Sequence, residues 1–135
     1  VVLPNVTEAA MMAGLPYRES FDEAYIQQLL NGIHGKNIVL TGVGFEPGKT
    51  GAAIRSGDDI SYYFHDRLSR NFSGTGDIFA SAFTGALMQG RTLTAAARIA
   101  ADYTSQCIQN TIENPAHWYG VKFESALPDL IAMLK

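Results

Sequence analysis

The sequence predicts an α/β fold in which helices cover the faces of a sheet. Residues 38–42 (Ile-Val-Leu-Thr-Gly) form an apolar run that ends in glycine, as expected of a buried parallel strand followed by a functional loop. Residues 50–55 and 60–65 have strand patterns and are joined by a turn at residues 57–59 (Gly-Asp-Asp). Helical patterns flank these strands along the chain. We therefore expect parallel strands plus a β-hairpin, with helices packed on the sheet.

The helices are predicted from their caps and their apolar spacing. Asn5 is the expected N-cap of the first helix, with Glu8 in capping-box position and Gly14 at its end. Ser20 is the expected N-cap of the second, which extends to about Ile33. Three more are expected over Ile78–Met88, from Thr92 or Thr94 to about Gln109, and over Ala126–Leu134.

The first residues form an apolar strand pattern, Val1-Val2-Leu3, that Pro4 ends. No initiator Met and no polar residues precede this run. The pattern therefore predicts the end of a strand that belongs to a longer chain. An exposed strand edge here would favour self-pairing or aggregation.

Bulk composition places the chain among soluble globular proteins of the cytoplasm. Its 135 residues predict a single domain, 1–135, with 47% hydrophobic residues and a net charge of -3. That charge argues against general nucleic-acid binding, and no apolar run or signal pattern indicates a membrane or secretion. Cys107 is the only cysteine, and its helical context favours a buried hydrophobic role over a reactive thiol.

A glycine-rich loop, Gly74-Thr75-Gly76-Asp77, directly precedes a helix. Glycines allow successive backbone N–H groups to point into one concavity, and the helix N-terminus adds positive potential, so an anion is the natural ligand. The Asp77 carboxylate is then placed to accept a proton from an attacking hydroxyl. From these four residues alone, a simple helix cap is an equally good interpretation.

A second glycine-rich stretch, residues 42–50, superficially suggests a phosphate-binding P-loop. That motif requires glycine five residues before Gly48-Lys49-Thr50, where Val43 stands, and a strand pattern follows instead of a helix. We expect a loop that ends a strand.

The glycine loop, together with Pro4-Asn5 and Glu8 far upstream, resembles the ribokinase superfamily, and several other segments resemble bacterial pyridoxal/pyridoxamine kinases. These segments are residues 2–9, 15–17, 39–43, 62–65 and 119–124. The resemblance covers essentially all 135 residues but only the C-terminal half of such a kinase. It implies a layered α/β/α ribokinase-like fold and the ATP-binding and catalytic portion of the enzyme.

The resemblance also implies roles for particular residues. Gly74, Thr75 and Gly76 would form an anion hole for the transferred γ-phosphoryl group, and Asp77 would be the catalytic base. Asn5 and Glu8 would help to hold Mg²⁺ and the ATP phosphates. Thr41 and Gly42 would contact the phosphates. Leu68 and Phe72 would border the adenosine.

The expected function is ATP-dependent phosphorylation of the 5′-hydroxymethyl group of a B6 vitamer, with a monovalent cation left open and a homodimer implied for the full-length protein. Two alternatives remain. One is a hydroxymethylpyrimidine kinase of the same fold, and the other is a nucleotide-binding fragment without catalysis of its own.

Overall fold

The computed structural model describes residues 1–67, 74–113 and 121–135, and the chain divides into two compact units, Val1–Arg67 and Leu68–Lys135. The first unit contains two helices, α1 (Val6–Ala13) and α2 (Glu23–Gly32). Three strands follow, β1 (Asn37–Val43), β2 (Lys49–Ser56) and β3 (Asp59–Asp66). None of the helices within the described residues is long and apolar enough to cross a membrane.

The sheet of the first unit has the order β1-β2-β3, and both pairings are antiparallel. The hairpin expected from the alternating pattern is confirmed, with β2 and β3 joined at Gly57-Asp58. On its other side β1 makes two parallel bridges, to Val2 and to Asn5. The N-terminal residues therefore run parallel to β1, which agrees with the strand pattern of Val1-Val2-Leu3.

The two helices of this unit begin at side-chain caps. Asn5 and Glu8 form the predicted capping box of α1, and Gly14 ends that helix in the left-handed conformation, with φ 67°. The prediction for α2 was wrong by two residues, because Asp22 and not Ser20 accepts the hydrogen bond from the Tyr25 N–H. Asp22 lies directly before the helical residues with the extended backbone that an N-cap requires, φ -107° and ψ 179°.

The core of the first unit lies between the helices and one face of the sheet. Burying each leucine or isoleucine side chain contributes about 1.5–3 kcal/mol, so this cluster is the main source of the unit's stability. Its fully buried large members are Tyr25, Ile26, Leu29, Leu30, Ile38, Leu40 and Val43.

The second unit is helical where the structure describes it. It contains α3 (Thr75–Met88), α4 (Leu93–Ile112), a 3-10 turn at Glu124–Ala126 and α5 (Leu127–Leu134). Thr92, one of the two starts expected for α4, is its N-cap, and α3 begins three residues earlier than the apolar pattern indicates. Buried alanines line α4, and their small side chains allow α3 to pack closely: Ala96, Ala97, Ala100 and Ala101.

Hydrogen bonds tie the chain after residue 121 to α4. The buried Thr111 hydroxyl donates to the Cys107 carbonyl and accepts from the Lys122 N–H, at 2.8 and 2.7 Å. The Tyr103 hydroxyl donates to the Phe123 carbonyl at 3.0 Å. Because buried polar groups are costly when unpaired, these bonds fix residues 121–126 against the helix.

Cys107 is fully buried, as its helical context predicts, and burial raises the pKa of its thiol. Because the thiolate is the reactive form, we expect the native protein to react very slowly with an aromatic disulfide reagent at pH 8. One thiol per chain should react rapidly once denaturant is added. Rapid reaction without denaturant would contradict this burial.

Candidate active site

The start of α1 presents two oxygen-bearing side chains, Asn5 and Glu8. The Asn5 amide oxygen accepts a hydrogen bond from the Glu8 N–H, and the Glu8 carboxylate accepts one from the Asn5 N–H, both at 2.8 Å. Both side chains are exposed. Each carboxylate oxygen can accept more than one hydrogen bond, so the capping box leaves acceptor capacity free for a ligand.

Thr41 lies beside Asn5 at the carboxyl end of β1. The Thr41 N–H donates to the Pro4 carbonyl at 2.9 Å, and its hydroxyl is 3.4 Å from the same oxygen. The parallel bridge between Asn5 and Thr41 places the two residues next to each other. The structure thus brings Thr41 next to the capping box of Asn5 and Glu8, which lies more than 30 residues earlier in the sequence.

Gly42 adjoins this group in an unusual backbone conformation. Its φ is +76°, and the register between β1 and β2 shifts between Thr41 and Val43, which marks a β-bulge. Among the residues that the structure describes, nothing lies within 4 Å of the position that a Cβ would occupy there. The bulge therefore leaves the backbone at this strand end open to close approach by a ligand.

An ion pair that the sequence analysis did not predict lies at the same end of the sheet as Thr41 and Gly42. Lys49, at the start of β2, is hydrogen-bonded to Asp66, at the end of β3. The Asp66 carboxylate raises the pKa of Lys49, and Lys49 lowers the pKa of Asp66. This ion pair could have been predicted from the sequence, because a hairpin that turns at Gly57-Asp58 places Lys49 opposite Asp66.

In the second unit, the glycine loop forms the N-terminus of α3. Gly74 is the N-cap, with φ 88°, and within the described part of the chain no side chain caps the helix. Thr75, Gly76 and Asp77 are the first three helical residues, so their N–H groups have no partner within the helix. No atom of residues 1–67, 74–113 and 121–135 lies within 4 Å of a Cβ built on Gly74 or Gly76.

Asp77 is exposed at the third position of α3. Among the described residues, no hydrogen bond or ion pair engages its carboxylate, so Asp77 does not serve as a cap. Gly74 is the N-cap and Asp77 is the acidic residue of the first turn, so the simple-cap interpretation stays open beside the anion site.

The candidate residues thus form two groups. Asn5, Glu8, Thr41 and Gly42 adjoin one another in the first unit, and Gly74–Asp77 form the α3 N-terminus in the second. Leu68 and Phe72, the expected adenosine contacts, lie outside the described residues.

The donor set at the start of α1 fits a magnesium ion in chemical type. Mg²⁺ prefers oxygen ligands and is commonly held by one or two carboxylates together with water and substrate phosphates. Glu8 supplies a single exposed carboxylate and Asn5 an amide oxygen. Within the part of the chain that the structure describes, no three His, Cys, Asp or Glu side chains cluster as a metal cage, so an ion here would complete its shell with water and phosphate oxygens.

Comparison with known proteins identifies the family. The phosphomethylpyrimidine kinase family matches residues 1–121. The chain belongs to this kinase family. The match extends through both groups of candidate residues.

Individual relatives of the chain support its assignment to this kinase family. The crystal structure of pyridoxal kinase from Lactobacillus plantarum is 28% identical, with a TM-score of 0.83 over 98% of this chain. A Bacteroides thetaiotaomicron protein assigned to the phosphomethylpyrimidine kinases and crystallised with pyridoxal is 27% identical, with a TM-score of 0.77 over 96% of this chain. The pyridoxine/pyridoxal/pyridoxamine kinase of Bordetella bronchiseptica is 28% identical over 113 residues, 82% of this chain. These matches confirm the α/β fold and the resemblance to pyridoxal kinases.

The chain spans about half the length of these relatives. It covers 49% of the Lactobacillus and Bacteroides proteins and 40% of the Bordetella enzyme. The match therefore concerns one part of a larger kinase.

Proposed function

We propose that the protein containing this chain transfers the γ-phosphoryl group of ATP to the 5′-hydroxymethyl group of a B6 vitamer. The observation that carries this proposal is the open N-terminus of α3, where glycine N–H groups and an exposed carboxylate occupy one helical turn. Membership of a kinase family supports phosphoryl transfer as the reaction. The pyridoxal kinases among the relatives support a B6 vitamer as the substrate.

The amides of Gly74, Thr75 and Gly76 are suited to bind the phosphoryl oxygens. They lie at the positive end of a helix of 14 residues, and no side chain of the described residues caps them. Negative charge accumulates on these oxygens during transfer, so fixed N–H donors stabilise the transition state without reorganising.

Asp77 is proposed as the general base. The substrate hydroxyl gives its proton to the Asp77 carboxylate as its oxygen bonds to the γ-phosphorus, and the bond from that phosphorus to the bridging oxygen breaks. ADP leaves with the electron pair of the broken bond, so the step needs no further reactant.

The first unit is proposed to hold the nucleotide. Thr41 and the open bulge at Gly42 contact the phosphates, and Asn5 and Glu8 hold the magnesium ion. When bound, that ion neutralises charge on the β- and γ-phosphates. Leu68 and Phe72 remain the proposed adenosine contacts. The proposal does not specify whether a monovalent cation also binds. We propose that the full-length protein is a homodimer and is located in the cytoplasm.

Replacing Glu8 with glutamine tests the proposed metal ligand. Glutamine preserves the capping box but removes the charge, so the Tm should change little. We expect the magnesium concentration for half-maximal kinase activity to rise about 10-fold or more, as for the loss of a metal ligand or its orienting group. The measurement is a magnesium titration of initial rates at saturating ATP.

Glu23→Gln is the matched control, because Glu23 is an exposed carboxylate in the first turn of α2, in the same unit. It should leave the magnesium dependence unchanged. Equal magnesium curves for the two variants would remove Glu8 from the metal site.

A hydroxymethylpyrimidine kinase is the second candidate, and the family that matches residues 1–121 favours it. The deciding experiment compares kcat/KM for pyridoxal, pyridoxamine, pyridoxine and hydroxymethylpyrimidine in the protein that contains this chain. We expect a B6 vitamer to have the highest value. A higher value for hydroxymethylpyrimidine would replace the proposed substrate and leave the reaction class intact.

Catalysis by residues 1–135 alone is a separate question. Because they cover 40–49% of their relatives, we expect them to bind nucleotide but to turn over pyridoxal very slowly. A normal rate from this chain alone would show that the vitamer pocket lies within it.

A further inference from the structure

The residues proposed to hold the nucleotide in the first unit include no positively charged side chain. They are Asn5, Glu8, Thr41 and Gly42, and Glu8 adds a negative charge. The triphosphate of ATP carries more negative charge than one magnesium ion neutralises, and phosphoryl-transfer enzymes commonly supply the remainder from a lysine or arginine. A cation is therefore expected close to these four residues.

Lys49 lies at the same end of the sheet as these residues. Because β1 and β2 run antiparallel, the start of β2 adjoins the end of β1. Side chains alternate along a strand, so Lys49 shares a face of the sheet with Ala53. Ala53 belongs to the same buried cluster as Val6 of α1, and α1 begins beside the bridge between Asn5 and Thr41. Lys49 and the first turn of α1 therefore lie at one end and on one face of the sheet.

The backbone around Lys49 is held in place by the turn that precedes it. The Lys49 N–H donates to the Glu46 carbonyl at 3.2 Å, and the Arg67 N–H donates to the Gly48 carbonyl at 2.7 Å. A Cβ added at Gly44 would collide with the Lys49 carbonyl, so the two backbone segments approach closely. These contacts fix the position from which the lysine side chain extends.

The Lys49 ammonium is held by an ion pair that a phosphate group can replace. Its partner is the Asp66 carboxylate, and the two side chains are 47% and 81% exposed. Water screens exposed ion pairs of this kind, so they contribute little to stability. The Asp66 carboxylate, with a weaker contribution from Glu46, raises the pKa of Lys49, so its ammonium is charged at neutral pH.

The other lysines and arginines of the first unit are less suited to this role. Arg18 stacks on an aromatic ring at 4.8 Å, and Arg55 donates to two backbone carbonyl groups. Lys36 directly precedes β1 and lies at the opposite end of the sheet. Arg67 follows β3, which is one strand further from β1 than β2 is.

We propose that Lys49 leaves Asp66 when the nucleotide binds and pairs with the phosphates that are not transferred. β2 lies two strand spacings, roughly 10 Å, from the segment that carries Asn5, a separation that a lysine side chain and a magnesium-bound triphosphate cover together. The ammonium neutralises charge that the magnesium ion leaves, and Asp66 holds the lysine before the nucleotide arrives. This inference rests on the proposed function and adds a binding residue to it.

The test is a calorimetric titration of the protein that contains this chain with the magnesium complex of a non-hydrolysable ATP analogue. Lys49→Met should raise the Kd about 10-fold, because a charge-assisted hydrogen bond is lost. Lys49→Arg keeps the charge and should keep the Kd within about threefold of the original value. Lys36→Met is the matched control, since it removes the same charge from an exposed lysine of the same unit, and it should leave the Kd unchanged.

Asp66→Asn distinguishes a binding role of Lys49 from a structural one. It releases the ammonium from its carboxylate partner, so the Kd should fall about two- to threefold. In a protein that already carries Lys49→Met, the same substitution should have no effect, because it acts through the lysine. An ion pair that only stabilised the hairpin would make both single substitutions weaken nucleotide binding.

Three results would count against Lys49. Equal Kd values for Lys49→Met and the unaltered protein would overturn this inference alone. So would equal effects of Lys49→Met and Lys36→Met, or a tightening by Asp66→Asn that persists without the lysine. If the unaltered protein did not bind the analogue at all, the proposed nucleotide site would fail together with this inference.

Discussion

Asp77→Asn lowers kcat by roughly 10²–10⁴ in the protein that contains this chain, the usual contribution of a general base. Asparagine has the size of aspartate but cannot accept the proton of the substrate hydroxyl. The KM for ATP should stay within about threefold, because the Gly74–Gly76 amides and the first unit remain intact, and a threefold change is under 1 kcal/mol. Steady-state rates of ADP release with pyridoxal as acceptor measure the effect.

Asp129→Asn is the matched control for charge at a helix start. Asp129 is an exposed aspartate at the third position of α5, as Asp77 is in α3, and both belong to the second unit. Both variants lose a carboxylate that is favourable to the helix dipole, so both should lower the Tm slightly and by similar amounts. If Asp77→Asn kept near-normal turnover, or if both variants lost activity equally, Asp77 would not be the base.

Gly76→Ala should reduce kcat by about 10²-fold, comparable to removing one donor from an oxyanion hole. The added Cβ meets no atom of the described residues within 4 Å, so no steric clash with them is expected. Alanine in a helix is more stable than glycine by up to about 1 kcal/mol, so the Tm should hold or rise. A protein that is equally stable but much less active indicates that the added methyl occupies space needed by the phosphoryl group.

Gly85→Ala controls for the change of glycine to alanine within the same helix. Gly85 lies inside α3, and an added Cβ there also meets nothing within 4 Å in the described parts of the chain. It should gain stability and keep full activity. Activity retained by Gly76→Ala would contradict a phosphoryl site at the α3 N-terminus.

The fold was largely predictable because its elements follow local rules. The Asn5 and Glu8 capping box, the hairpin turn at Gly57-Asp58 and the Thr92 cap each depend on residues close in sequence. The start of α2 was missed because Ser20 and Asp22 are both good caps, and the choice depends on where the preceding backbone turns. The start of α3 was placed late because Thr75, Gly76 and Asp77 have no apolar periodicity.

The candidate site was predictable only in part. The sequence predicted that Gly74–Asp77 lie at the start of a helix. Only the structure shows that, among the described residues, no side chain caps this helix. The adjacency of Asn5 and Thr41 depends on parallel pairing between segments 36 residues apart, which local pattern does not encode. The bulge at Gly42 likewise arises from the register of β1 against β2 and not from the sequence of β1 alone.

A nucleotide titration followed by amide NMR tests the central claim most directly. A magnesium complex of a non-hydrolysable ATP analogue is added to the labelled chain, and the backbone amide resonances are followed. Shifts at Thr41 and Gly42 and at Thr75, Gly76 and Asp77 are the predicted result, because both groups are proposed to contact phosphate oxygens. Resonances of Thr75–Asp77 that stay unchanged at saturating nucleotide would contradict the assignment of the α3 N-terminus as the phosphoryl site.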